Sequence, residues 1–325
     1  MTNYLIVIIS TLFPILIYAF LIYLSENIIL KYISKYSKYY SSWPEHYLLI
    51  YTAGMASALQ SFLPALAVVY QHPKLAYYFQ LYNVVLDYTI TLGTFIIGFN
   101  FDKGIIDNNV FTLIAIALIS QIFVLIFKQI NFIEGAILYL IFLLLSFYIF
   151  YKYRKRDERY LPEKGTPYEY FKASVFALEV ALAISIIYIG GNILNNVANT
   201  LQSLGLSIPL IGYAISLLLF TLPDMLYGHI SWFKKKDLNI SIASITGEEL
   251  SEFTLFIGIL SMIHPIVFST TDIIPIFSSM IVMYISVLIL YISSYKRKIP
   301  KWVGFILIAL GLILGFINGI ANLSS

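Results

Sequence analysis

The residues of this chain best suited to chemistry are acids set inside apolar stretches: Asp87 within 75–101, Asp224 within 173–233, and Glu248 and Glu252 within 238–264. Hydroxyl and amide side chains stand near them, namely Ser61, Asn83, Thr91 and Thr221. Carboxylate, hydroxyl and amide oxygens are hard donors, which suit Ca²⁺, Na⁺, Mg²⁺ or Mn²⁺ alike. Spacing groups them further. Glu248 and Glu252 are four apart and share a helix face, Asp87 and Thr91 repeat that spacing, and Thr221 and Asp224 are three apart. Glu249, turned about 100° from Glu248, reads as a neighbouring lining residue. Glu179 reads as a structural pair or a snorkelling contact toward Lys172, with a proton relay as the alternative. The competing reading of the acids is that one of them caps a broken helix. There is no cysteine, and the four histidines fall in no metal-ligand spacing, so thiolate and zinc chemistry are excluded.

The elements that must position these residues are membrane helices. Of the 325 residues 60% are hydrophobic and only 11% charged, against roughly 25% charged in a soluble domain. The 17% aromatic content, mostly Tyr and Phe, suits interfacial belts. Runs of about 20 apolar residues, enough to cross a bilayer, occur ten times. They are Tyr4–Leu24, Tyr47–Gln71, Leu75–Phe101, Asn108–Phe127, Gly135–Tyr151, two within Ala173–Phe233, Leu238–His264, Ile273–Tyr295 and Trp302–Ser325. The long stretch splits near Asn192–Pro209, where Gly190, Gly191, several Asn and Pro209 supply turn signals. The first run has neither a basic leader nor a cleavage site and reads as a retained helix. The fold class expected is all-α, a polytopic membrane protein of about ten helices.

Basic residues orient the spans. With the N-terminus outside, Lys31, Lys35 and Lys38, Lys103, the cluster from Lys152 to Lys172, Lys234 to Lys236, and Lys296, Arg297, Lys298 and Lys301 all lie inside. Only Lys74 and Lys128 lie outside. This one-sidedness places both termini outside a cell membrane. The charged segment 152–169, with Pro162, Gly165 and Pro167, separates a five-helix half (1–151) from a second (170–325). An odd number of spans per half forces the two halves into opposite orientation, the layout of inverted-repeat transporters. At bilayer depth a carboxylate costs roughly 2.5–3.5 kcal/mol. Four of them facing lipid would cost on the order of 10 kcal/mol, so they are expected to face the bundle interior.

Self-similarity crosses the linker. LQSFLPA (59–65) in the second span matches LFTLPD (219–224) in the seventh, and NVVLDYTIT (83–91) matches SITGEELSE (244–252) in the spans that follow. Pro64 and Pro223 each free a backbone carbonyl and kink or break a helix. At these residues the chain resembles the calcium/cation antiporter superfamily, which includes the sodium/calcium exchangers. That family carries G-T-S-L-P-E in one helix and G-N-x-x-G-S-N-x-x-N, or a terminal Asp, in the next. Leu222 and Pro223 match, Asp224 takes the place of the Glu, and Thr221 replaces the Ser. Gly247 matches, Glu248 stands at the following Ser, and Glu252 at the terminal Asn/Asp. In the first half Leu63, Pro64 and Asn83 match, Ser61 keeps a hydroxyl at the Thr position, Asp87 replaces a Ser and Thr91 the terminal Asn. Phe62 and Ala65 depart, Ala65 standing where the family has its Glu.

The resemblance implies two five-helix inverted repeats and a secondary antiporter, not an enzyme. It would move Ca²⁺ or a related cation against Na⁺ or H⁺, with Asp224, Glu252, Glu248, Asp87, Thr221, Ser61, Thr91 and Asn83 about the ions. No cofactor is expected beyond the transported cations, and the partners expected are membrane lipid and inorganic cations. Nucleic acid is not expected, because the basic residues track a membrane face. Four acids around one low-dielectric site cannot all stay ionised while it is empty, which makes proton coupling part of the expectation. A second class is an intramembrane metal-dependent enzyme binding Mg²⁺ and a diphosphate. Paired acids occur in one copy only, and no intramembrane Lys or Arg is present to bind the diphosphate. A third is a channel or a transport-dead scaffold, suggested by Ala65.

The topology is directly testable in a chain without cysteine. Single cysteines replacing Thr2 or Ser325 should react with an impermeant thiol reagent added outside, and one replacing Lys155 should not. External labelling at 155 would overturn the orientation.

Overall fold

The computed structural model describes residues 11–25, 28, 54–99, 121–154, 166–226, 229, 245, 248–294 and 299–323. Among them run ten helices: α1 Thr11–Ser25, α2 Gly54–Val68, α3 Pro73–Gly98, α4 Ile122–Phe127, α5 Phe132–Arg154, α6 Pro167–Ser203, α7 Ile208–Leu226, α8 over residues 248–263, α9 Thr270–Ser294 and α10 Lys301–Leu323. Each overlaps one of the apolar runs. Helix is the form such a segment must take, because hydrocarbon offers no partner for backbone N–H and C=O groups. Five of the helices, α3, α6, α7, α9 and α10, are long and apolar enough to cross a membrane. Two short strands, β1 (Gln129–Ile130) and β2 (Ile266–Val267), pair antiparallel and join the α4–α5 and α8–α9 connections.

The expected break near Asn192–Pro209 falls at the far end of that window. α6 runs unbroken through Gly190, Gly191 and the asparagines to Ser203, and the chain turns at Gly205, whose φ is +84°. Gly190 and Gly191 are contact residues and not turn residues. A Cβ on Gly190 would strike the Tyr18 ring of α1, and one on Gly191 would lie 2.8 Å from Ala67 Cβ and 3.0 Å from Pro64 Cα in α2. Tyr18 also donates its hydroxyl to the Ile187 carbonyl of α6. Of the kinks or breaks expected at Pro64 and Pro223, breaks do not occur, since α2 and α7 continue through both residues.

The core is built on α3, whose apolar window is 83% buried, whereas that of α6 is 17% buried and faces outward. Two crossings repeat around it. The last turns of α3 pack on α10 at Gly93 and Gly304, where a Cβ on Gly304 would lie 2.5 Å from the Gly93 carbonyl oxygen. The last turns of α8 pack on α5 at Gly258 and Gly135, where a Cβ on Gly258 would lie 2.8 Å from the Gly135 carbonyl oxygen. Relative to the sequence match between the halves, the second crossing comes about one turn later. Each crossing therefore joins a helix of the first half to one of the second, backbone against backbone.

One end of the bundle is tied across the halves. Lys74 Nζ lies 2.6 Å from Asp272 Oδ2, and Tyr78 donates its hydroxyl to Asp272 Oδ1 at 3.1 Å. Phe268 donates its N–H to the Lys128 carbonyl at 2.8 Å, so Lys74 and Lys128 lie at the same end of the bundle. Buried tyrosines find acceptors, Tyr82 at Asn318 (3.0 Å) and Tyr213 at the Gly311 carbonyl (2.8 Å).

Gly304→Val should lower the melting temperature of the detergent-solubilised protein, a cost of about 1–3 kcal/mol for forcing side-chain volume into a closed contact. Gly319→Ala, where nothing lies within 4 Å of the added carbon, should melt like the parent. A Gly304→Val protein with unchanged melting would refute the crossing.

Candidate functional site

Three helices carry widened π-turns where the chemistry-bearing residues lie: Asp87–Thr91 in α3, Leu217–Thr221 in α7 and Ser251–Phe256 in α8. In each, the residue after the turn donates its N–H five residues back, Leu92 to Asp87, Leu222 to Leu217 and Ile257 to Glu252. Such turns are uncommon and cluster at functional positions. The one in α7 has a local cause. The Pro223 ring would clash with the carbonyl four residues before it, and the slack turn ahead of it lets the helix continue. Gln121 of α4 supports the turn in α8, donating Nε2 to the Phe253 carbonyl at 3.1 Å while its Oε1 accepts from Tyr77 at 3.0 Å.

Asp87, Asp224 and Glu248 converge from α3, α7 and α8. One carboxylate oxygen from each lies within 4.8 Å of the others, and all three side chains are buried. Glu252, also buried, joins them through shared partners. Asn83 Nδ2 donates to Glu248 Oε1 at 2.9 Å and to Glu252 Oε1 at 3.0 Å, and Ser61 Oγ donates to Glu252 Oε1. Glu248 and Glu252 thus share one face, as their spacing requires. Thr91 Oγ1 donates to Asp87 Oδ1 at 2.8 Å, so the second four-residue pair is also joined. Thr221 is buried at the end of its π-turn, and its Oγ1 has no hydrogen-bond partner among the described residues. All eight singled-out residues are therefore interior, and seven are linked by contact or hydrogen bond into one cluster.

Two further residues belong beside them. Glu249 is buried, and neither of its oxygens has a hydrogen-bond partner among the described residues. Its 100° offset from Glu248 moves it around the helix but not out of the core. Gln60, one residue before Ser61, donates Nε2 to Asp224 Oδ2 at 2.8 Å. It lies in the quoted LQSFLPA motif, yet a neutral amide gives no signal of its own. Glu179, by contrast, is exposed on α6, and Lys172 Nζ sits over the Tyr168 ring at 4.3 Å.

No family model matches the sequence, and no curated protein matches it either. Solved structures do match. The sodium-calcium exchanger NCX_Mj, soaked with 10 mM Na⁺ and 10 mM Sr²⁺, superposes with a TM-score of 0.61 at 18% identity, covering 94% of this chain and 97% of that one. The same exchanger soaked with zero Na⁺ and Ca²⁺ gives 0.59 at 17% identity, covering 94% and 98%. At this identity the likeness speaks for the fold, over nearly the whole length of both chains. The protein is a multi-pass membrane protein with the ten-helix inverted-repeat architecture of the sodium-calcium exchanger NCX_Mj.

Proposed function

We propose that the protein is a secondary antiporter that exchanges Ca²⁺ or a related cation against Na⁺ or H⁺ through this carboxylate cluster. The observation that carries the reading is the convergence of Asp87, Asp224 and Glu248 in the buried core. Residues 75–101, 173–233 and 238–295, which contain all of these acids, include no Lys or Arg. Buried carboxylates without a basic neighbour need another source of positive charge. A mobile cation supplies it, and protons compete for the same oxygens.

Size points the same way. Three oxygens no more than 4.8 Å apart always leave a point within about 2.8 Å of every one of them, so slight closure reaches the 2.3–2.6 Å typical of Ca²⁺. Mg²⁺ demands a tighter octahedral shell near 2.0–2.1 Å. NCX_Mj, described as exchanging ions and occluding its binding site, shares the fold in which two inverted halves enclose such a site. In this chain the halves are assigned to 1–151 and 170–325, joined by the inside linker 152–169, in the cell membrane with both termini outside.

The test is Ca²⁺ uptake into proteoliposomes, driven in separate arms by an outward Na⁺ gradient and by a pH gradient. Uptake should depend on at least one of them. Uptake indifferent to both would mark a channel, and no uptake would end the antiporter reading. Asp224→Asn and Glu252→Gln, which remove charge at constant size, should each lower apparent Ca²⁺ affinity about tenfold to a hundredfold, the equivalent of roughly 1.5–3 kcal/mol for a charged contact. Unchanged transport in both variants would rule out the site.

A further inference from the structure

The donors and acceptors of the cluster divide unevenly between the halves. α2 brings no carboxylate, since Ala65, buried, stands where Asp224 stands in the matching motif of α7. It brings Gln60, which is 1% exposed. An ionised Asp224 fixes the sense of the Gln60 amide. A carboxylate can only accept, so its NH₂ group faces Asp224, because the flipped amide would set two acceptors together. Both amide atoms hang on one carbon, so Oε1 is held within a few ångströms of that carboxylate. It is buried and has no hydrogen-bond partner among the described residues. An amide oxygen in that condition is rare in a protein interior and calls for an explanation. Asn83 repeats the arrangement from α3. Its Nδ2 serves Glu248 and Glu252, while its Oδ1 is buried without a partner among the described residues.

We propose that Gln60 is a cation ligand through its amide carbonyl oxygen, so that the α2 side of the site is filled by a neutral oxygen where α7 supplies a charged one. Amide carbonyls are ordinary ligands of Ca²⁺. Bound in this way, the side chain satisfies both ends at once, the NH₂ on Asp224 and the oxygen on the ion. The inference rests on the reading that the cluster binds divalent cations.

The experiment measures Ca²⁺ and Cd²⁺ binding to the purified full-length protein, comparing the parent with Gln60→Met and Gln60→Glu. Methionine keeps the length and replaces a hard oxygen with a soft sulfur, which favours Cd²⁺ over Ca²⁺. A ligand role predicts that Gln60→Met loses about tenfold or more in Ca²⁺ affinity but keeps or gains Cd²⁺ affinity. Gln60→Glu, which preserves an oxygen, should stay within about tenfold of the parent for Ca²⁺. A parallel loss of both ions in Gln60→Met together with collapse in Gln60→Glu would show that Gln60 only positions Asp224 through its N–H. That outcome overturns the proposal, as does unchanged binding in Gln60→Met. A parent protein that binds neither ion removes the cation reading itself, and so the two failures are told apart.

Discussion

Everything in the core is arranged around carboxylates held in a low-dielectric interior without a basic residue in their own segments. An isolated ionised group there is strongly disfavoured, and several close together repel one another as well. The structure manages this with neutral donors. Gln60, Ser61 and Asn83, all in the first half, each donate to an acid of the second half, Asp224, Glu252 or the Glu248–Glu252 pair. Asp87, the acid of the first half, takes its hydrogen bond from Thr91 within its own helix. These donors orient the oxygens without cancelling their charge. The two halves are therefore held together at the centre by the same groups that form the site.

Holding the acids in register also demands close, stiff helices. The glycine crossings at Gly93–Gly304 and Gly135–Gly258 bring backbones into contact beside the helices that carry Asp87 and Glu252. Association of helices in lipid relies on such packing, because the hydrophobic effect does not favour helix over lipid as a neighbour. The π-turns lie immediately before these crossings in α3 and α8. A widened turn followed by a tight crossing lets a helix redirect its polar face without losing its hydrogen-bonded backbone.

Most of the architecture was legible in the chain because a bilayer admits so few forms. Apolar length marked the spans. The acids were legible as charges out of place, and their four-residue spacings survived in the hydrogen bonds of Asn83 and Thr91. Other features were hidden for definite reasons. Gly190–Gly191 followed by asparagine looks like a turn, and only the positions of Tyr18 and Pro64 reveal a contact. Pro64 and Pro223 looked like breaks, but a π-turn can absorb the Pro223 clash without ending the helix. Gln60 carries no charge to betray it, and its partner Asp224 is 164 residues away in sequence. Glu249 seemed to point aside, yet a helix buried on every side has no lipid face to turn toward.

α6 makes the surrounding lipid a participant. Its segment Ser174–Ser203 is 30 residues long, or roughly 45 Å of helix, against about 30 Å of hydrocarbon, and its last turns carry Asn192, Asn195, Asn196, Asn199 and Gln202. Such a helix leans, thickens the bilayer around it or carries its polar end into the headgroups, and its apolar window faces outward. Its tilt is pinned on the protein side by Tyr18 against Gly190 and by Gly191 against α2, the helix that carries Gln60 and Ser61. Where α6 leans, acyl-chain length presses on its contact with α2, next to the residues that donate to the buried carboxylates.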